Sequence, residues 1–257
     1  MTHQEESFDT WNKVASLYQN KFMNLEIYNA TYDAFCDSLK DENSSVLDVA
    51  CGPGNISKYI LKKSPELSIL GLDTSPNMID LAKSNNSGAE FLVMDARTMT
   101  SFTQKFDGIM SGFYLPYLTE KETADFFSTC FQLLNSNGVL YCSFVDGNSE
   151  SSGFKTGSSG DRVYFNYHQL ETITQLLHKN QFENPKVYKV NYLQNDGSSE
   201  IHCILISKKL SRYQKFVYTI MRNRILTKKF AIAYFTRSTK FYLQPKTKYG
   251  MPFRYGL

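Results

Sequence analysis

Three carboxylates and two glycines carry the first recognisable chemistry of this chain: Asp48, Asp73 and Asp95, with Gly52 and Gly54. Each Asp lies at or near the end of an apolar run, around "SVLDV", "SILGLD" and "EFLVMD", and each run reads as a buried strand. Gly52 and Gly54 carry no Cβ, so the backbone there turns tightly and lets a ligand come close. From Asn55 the apolar spacing becomes helical through Ile56, Tyr59 and Ile60. A strand, a glycine turn and a helix N-terminus form a cradle for a nucleotide-like ligand. Asp73 lies 21 residues beyond Gly52, where a carboxylate accepts hydrogen bonds from both hydroxyls of a ribose. Asp95, followed by Ala96, is placed to meet the amino group of an adenine. Asp48 sits beneath the turn, placed to meet an ammonium directly or through water. Singly, each Asp also reads as a turn or helix cap. Three on successive strands, beside one glycine turn, are harder to explain that way.

The elements that must hold these groups follow from the spacing of apolar residues. Residues 4–24 predict an amphipathic helix and 25–40 a second. Strands are expected at 67–73, at the run ending in Asp95, from Phe106 and at "VLYCSFV". Ser75 and Pro76 read as an N-cap and first helical residue, and Thr119 with Glu122 as a capping box. Residues 146–162 are rich in Gly and Ser and read as a long loop. A helix is expected from His168 to Lys179, then two strands around 186–192 and 201–207, joined by the turn "QNDGSS". Strands alternating with helices imply an α/β fold: a doubly wound, mostly parallel seven-stranded sheet, helices on both faces, an N-terminal helical cap and one antiparallel edge strand.

Composition narrows the classes. The 257 residues are 42% hydrophobic, enough for one large domain with a core. No apolar run approaches the roughly 18 residues of a membrane span, and the polar N-terminus does not read as a signal peptide. The five cysteines form no CxxC pair and read as free thiols in a reducing cytosol, so a cytoplasmic location is expected. The four histidines do not cluster with them, and no metal is expected. Charge divides the chain. Fifteen of the 28 basic residues and all 25 acids precede residue 207, a net −10. The last 51 residues carry 13 basic residues and no acid. The expected organisation is a domain over 1–208, with 1–40 as its cap, and a basic, aromatic-rich tail over 209–257. Such a tail suits nucleic acid or an anionic membrane surface, or simply docks on the acidic body.

With these residues in view, the chain resembles the class I S-adenosylmethionine-dependent methyltransferases, over roughly residues 7–208. The family's first motif matches Asp48-Val49-Ala50-Cys51-Gly52-Pro53-Gly54, with Ala50 where the first glycine usually stands. The resemblance implies S-adenosylmethionine as cofactor, with Asp48, Ala50, Gly52 and Gly54 around its methionine part. It implies Asp73 and Thr74 at the ribose, and Asn77, Met78, Asp95 and Ala96 around the adenine. Ser111, opening Ser111-Gly112-Phe113-Tyr114, would floor the site near the methyl group. That stretch lacks the prolines and amide of the Asn/Asp-Pro-Pro-aromatic motif of nucleic-acid amino methyltransferases, which favours a small-molecule acceptor. A nicotinamide dehydrogenase wants G-x-G-x-x-G, and here Ser57 stands at the third glycine. A non-catalytic S-adenosylmethionine-binding protein, tied to RNA or a membrane by the tail, is the alternative from another class. No general base is evident; the candidates are Tyr18, Tyr114, Arg162 and His168. Trp11, Tyr18 and Lys21 of the first helix are candidates to close the site, as is the 146–162 loop. Arg162 is the expected reader of an anionic or polar acceptor group.

Overall fold

Alternation with period two sorts the strand residues onto the two faces of one sheet. Leu47, Ile109, Leu140, Cys142, Phe144, Cys203 and Leu205 share one core cluster. Val46, Met110, Val139, Tyr141, Ile204 and Ile206 share the other. Both faces are therefore apolar, as a sheet covered by helices on both sides requires. The computed structural model describes residues 2–157, 160–194, 197–211 and 214.

The elements are α1 (His3–Lys13), α2 (Ala15–Phe22), α3 (Asn29–Cys36), β1 (Ser45–Val49), α4 (Asn55–Lys63), β2 (Ser68–Asp73), α5 (Pro76–Asn85), β3 (Glu90–Val93) and β4 (Phe106–Ser111). Then come α6 (Glu120–Leu133), β5 (Leu134–Val145), β6 (Gly153–Thr156), β7 (Arg162–Phe165), α7 (Leu170–Lys179), β8 (Lys186–Leu193) and β9 (Ser199–Lys208). The seven-stranded sheet has the order β3-β2-β1-β4-β5-β9-β8. From β3 to β5 the strands pair in parallel. The reversed strand belongs to the edge hairpin: β9 runs antiparallel to β5 and to β8, lying between them. The order reverses beside β1, so β1 and β4 diverge at the switch point, where open α/β sheets bind ligands.

Local signals explain most boundaries. Ser75 Oγ accepts from Met78 N–H and Pro76 opens α5. Thr119 and Glu122 form the capping box of α6. The single helix expected over 4–24 is instead two, α1 and α2, broken at Val14. The expected 146–162 loop is also more ordered than its composition suggests. It contains a short 3₁₀ turn, Ser149–Ser151, and leads into an antiparallel hairpin of β6 and β7.

The chain divides into two units, 1–211 and 212–257, and the first is the body described here. Past β9, Lys209 N–H donates to the Gly138 carbonyl and Leu210 N–H to that of Gln181. The basic tail expected over 209–257 otherwise lies outside the described residues, apart from Ser211 and Gln214. All five cysteines are free thiols. Among the described residues, no helix is long and apolar enough to cross a membrane.

Candidate active site

The turn after β1 is built from left-handed backbone. Ala50, Gly52 and Gly54 have φ of 55°, 53° and 76°. For Ala50 that conformation costs about 1–2 kcal/mol, which a glycine avoids. Asp73, at the end of β2, braces the turn: its carboxylate accepts from Gly52 N–H at 3.0 Å and from Ser75 N–H at 2.9 Å. Burial raises its pKa against those bonds. Asp48 lies beneath, fully buried. Its Oδ2 accepts from Ser57 Oγ at 2.6 Å, and its Oδ1 has no partner. Burial, opposed by the Ser57 bond and reinforced by Asp73, pushes the Asp48 pKa up to about 7.

The two glycines differ in what surrounds them. A Cβ on Gly54 would fall 2.4 Å from Asn86 Nδ2 and 3.3 Å from Ala82 Cα. Asn86 Nδ2 donates to the carbonyls of Gly54 and Ala82. Gly54→Ala therefore adds left-handed strain to a broken buried amide site, and a loss of about 2–4 kcal/mol is expected in urea unfolding. A Cβ on Gly52 meets nothing closer than Tyr18 Cε1 at 3.8 Å. Gly52→Ala should cost only the strain, about 1–2 kcal/mol, and should harm ligand binding more than stability.

A cavity of about 1010 Å³ opens over the ends of β1 to β4. Ala50, Gly52, Asp73, Thr74 and Met78 form one wall, and Asp95, Ala96 and Arg97 a second. Gly112, Phe113, Tyr114 and Tyr117 line the side beyond β4, and residues from α1 and α2, including Trp11 and Tyr18, close over it. Arg97 binds both oxygens of Asp95 at 2.9–3.0 Å through Nε. Burial pulls Asp95 upward, but these bonds outweigh it and hold the carboxyl below its ordinary value. Arg97 Nη1 also donates to Gln4 Oε1, and Gln4 Nε2 donates to Glu122 at 2.7 Å. At its other end, α1 is fastened by Asn12, whose Oδ1 accepts from Ser75 Oγ and from Asn77 N–H.

Of the sequence candidates, the structure brings Tyr18, Tyr114, Ala50, Gly52, Asp73, Thr74, Met78, Asp95 and Ala96 to this cavity. Seven others do not line it. Asp48 and Gly54 lie behind the turn. Asn77 donates its side-chain amide to the Asn12 carbonyl at 2.7 Å, fastening α1 rather than facing the cavity. Ser111 is fully buried at the end of β4, and its Oγ has no partner. His168 is buried, with Nε2 2.9 Å from the Leu115 carbonyl. A carbonyl only accepts, so that nitrogen carries the proton, and burial lowers the ring's pKa. Arg162 is not an acceptor reader in this geometry: its Nε donates to Glu6 at 2.5 Å and its guanidinium lies 4.1 Å over the Phe154 ring. It pins β7 to α1. Lys21 lies over Phe22 and does not reach the cavity. Local apolar spacing did not point to Arg97, Tyr117, Asn166 or the cap of α1 at Thr2. A signal for the last existed, because Thr2 and Glu5 form a capping box that starts a helix at His3.

Tyr18 and Tyr114, the two candidate catalytic tyrosines, are not ionised at neutral pH. Burial, then the Asp73 charge, pushes Tyr18 up to about 12. Burial likewise raises Tyr114 well above its ordinary value.

A glycine turn braced by an acid, under a cavity at the switch point of a seven-stranded sheet, defines the class I S-adenosylmethionine-dependent methyltransferase fold. Residues 46–138 match the family model described as a methyltransferase domain. Among curated proteins, it is 37% identical over 95 residues to demethylmenaquinone methyltransferase of Thermotoga maritima, covering 37% of this chain and 41% of that protein. It is 33% identical over 104 residues to trans-aconitate 2-methyltransferase of Methylobacterium radiotolerans, covering 40% and 39%. The chain thus spans less than half the length of these relatives. Among solved structures, magnesium protoporphyrin IX methyltransferase from Synechocystis PCC 6803 with bound S-adenosylmethionine superposes with a TM-score of 0.59. It is 15% identical, covering 82% of this chain and 98% of that one. The 1,6-didemethyltoxoflavin-N1-methyltransferase of Burkholderia thailandensis gives a TM-score of 0.60 at 14% identity, covering 81% and 87%. At these identities the two structures speak for the fold.

Proposed function

We propose that this protein binds S-adenosylmethionine and transfers its methyl group to a small-molecule acceptor. The observation that carries the reading is the Asp73-braced turn at the cavity wall. Asp73 presents a carboxylate to the cavity while Gly52 leaves room beside it, as a ribose next to a glycine turn requires. Asp48 Oδ1, buried and without a partner, suits an ammonium reached directly or through water. Ala96 and Met78 offer apolar surface for a purine. The donor's sulfonium supplies an already activated methyl group and a neutral thioether leaving group.

What remains for the protein is to hold the acceptor in line and keep water out, and positioning of that kind supplies much of a rate enhancement. Trp11, Tyr18 and Tyr117 form a ring-lined enclosure suited to both tasks. Tyr18 and Tyr114 stay protonated near neutral pH, so neither is a resting base; each is available as a hydroxyl donor that orients the acceptor. The relatives whose names specify demethylmenaquinone and trans-aconitate, and the structure whose name specifies a toxoflavin precursor, support a small-molecule acceptor. Isothermal titration with S-adenosylhomocysteine should show saturable one-to-one binding. Incubation with S-adenosylmethionine and a metabolite extract should then release S-adenosylhomocysteine. Absence of any donor binding would remove the reading; binding without turnover in any extract would leave a non-catalytic binding protein.

A further inference from the structure

Away from the glycine turn, the cavity is made of rings and its charge is unbalanced. Phe8, Trp11, Phe113, Tyr117 and Tyr164 line it. Trp11 meets Tyr18 and Tyr117 edge to face, with centroids 5.4 and 5.8 Å apart. Carboxylates line it at Glu5, Asp73, Asp95 and Glu122, against the single guanidinium of Arg97. That guanidinium is already engaged: Asp95 takes it with both oxygens and Gln4 accepts a further bond. Among the described residues, no lysine lines the cavity. The acids are not idle. Glu122 receives Thr119 N–H and Oγ as the cap of α6, and Glu5 receives Thr2 N–H as the cap of α1. Both carboxylates are held at the cavity by the helix caps they complete.

Resting on the methyltransferase reading above, we propose that the acceptor is a planar ring compound, uncharged or cationic, and that polycarboxylates are refused. A carboxylate needs an arginine fork or an unengaged ammonium to replace its water. This cavity offers neither among the described residues, and its net negative charge opposes approach. A flat ring, in contrast, gains from the faces and edges of Trp11 and Tyr117. The transfer step suits the same inventory. A lone pair on a ring or exocyclic nitrogen of the acceptor forms the bond to the methyl carbon. The carbon–sulfur bond breaks and its electron pair stays on sulfur. Positive charge passes from sulfur to nitrogen, and a nitrogen that bore hydrogen releases a proton to water. Until any such proton leaves, the site holds the positive charge that the sulfonium brought, on sulfur before transfer and on nitrogen after it, and ring faces and carboxylates stabilise it.

The test keeps the two readings apart. Calorimetric titration with S-adenosylhomocysteine alone examines the donor site, and its failure would remove the methyltransferase reading itself. Protein saturated with S-adenosylhomocysteine is then titrated with quinoline, 4-aminoquinoline and citrate. The rings are expected to bind at least about tenfold more tightly than citrate. Trp11→Ala should weaken the rings by about tenfold or more, while the far-ultraviolet circular dichroism spectrum, the check on folding, matches the parent's. Citrate binding as tightly as either ring would overturn the proposal. So would rings that fail to bind up to their solubility, or ring affinity unchanged in Trp11→Ala.

Discussion

Replacing Asp73 by alanine is expected to lower the affinity for S-adenosylhomocysteine by at least about 100-fold, with a much smaller loss of stability. The carboxylate accepts from Gly52 N–H and Ser75 N–H while presenting its remaining lone pairs to the cavity. Under the proposed function those lone pairs meet two ribose hydroxyls. Hydrogen bonds to a charged group contribute about 1.5–3 kcal/mol each, so losing two gives roughly 3–6 kcal/mol, or about 10²–10⁴-fold in affinity. Alanine also leaves two backbone N–H groups without their acceptor beside the glycine turn. Gly52 borders the cavity, where water can replace the lost acceptor, and the buried Ser75 N–H carries the remaining cost, about 1–2 kcal/mol. Calorimetry reads the affinity and urea unfolding reads the stability. An Asp73→Ala protein that binds S-adenosylhomocysteine within about threefold of the parent would show that the carboxylate serves only the turn.

Asp48 should give the largest pH effect. Its pKa stands at about 7 in the folded protein, against about 3.9 in an unfolded chain. The folded state therefore holds a proton that the unfolded state has released. Stability from this group is complete below about pH 4, falls as pH rises towards 7, and levels off above. Asp48→Asn removes the titration. At pH 8 the variant should be more stable than the parent by an amount on the order of 2–4 kcal/mol, with the difference vanishing towards pH 4. The asparagine amide brings an unmet hydrogen bond of its own at the Oδ1 position, about 1 kcal/mol, which subtracts from the gain without reversing it. The same variant should bind S-adenosylhomocysteine more weakly, because the donor's ammonium loses an anionic neighbour. Urea midpoints at pH 5 and pH 8, set beside calorimetry, measure both effects. Identical pH profiles for parent and variant would show that the buried carboxylate is not the titrating group.

These two expectations pull in opposite directions for one physical reason. A buried acid without a full set of partners burdens the free protein and benefits the complex. The pair Asp48 and Asp73 occupies the ends of adjacent parallel strands, in register Asp48 with Gly71 and Val49 with Leu72. One shoulder of the turn carries a braced acid and the space beneath it an unbraced one.

Sequence alone determined the parts of this protein that depend on local spacing. The strand, turn and helix from Ser45 to Lys63, the caps at Ser75 and Thr119, and the edge hairpin of β8 and β9 all follow from near neighbours in the chain. The acids of the site were legible too, because a parallel sheet places strand ends at one edge without further information. Tertiary structure alone decided which side chains turn into the cavity. Asn77 and Arg162 have the chemistry of ligand-binding groups, yet the placement of α1 engages both, through Asn12 and Glu6. His168, a residue suited to proton transfer, is instead buried against the Leu115 carbonyl. Arg97 is held by its neighbour Asp95 and also by Gln4 of α1, 93 residues away in sequence. Contacts between segments so distant leave no periodic trace in either one. Hydrophobic pattern records which face of an element is buried, and records nothing of which partner covers it.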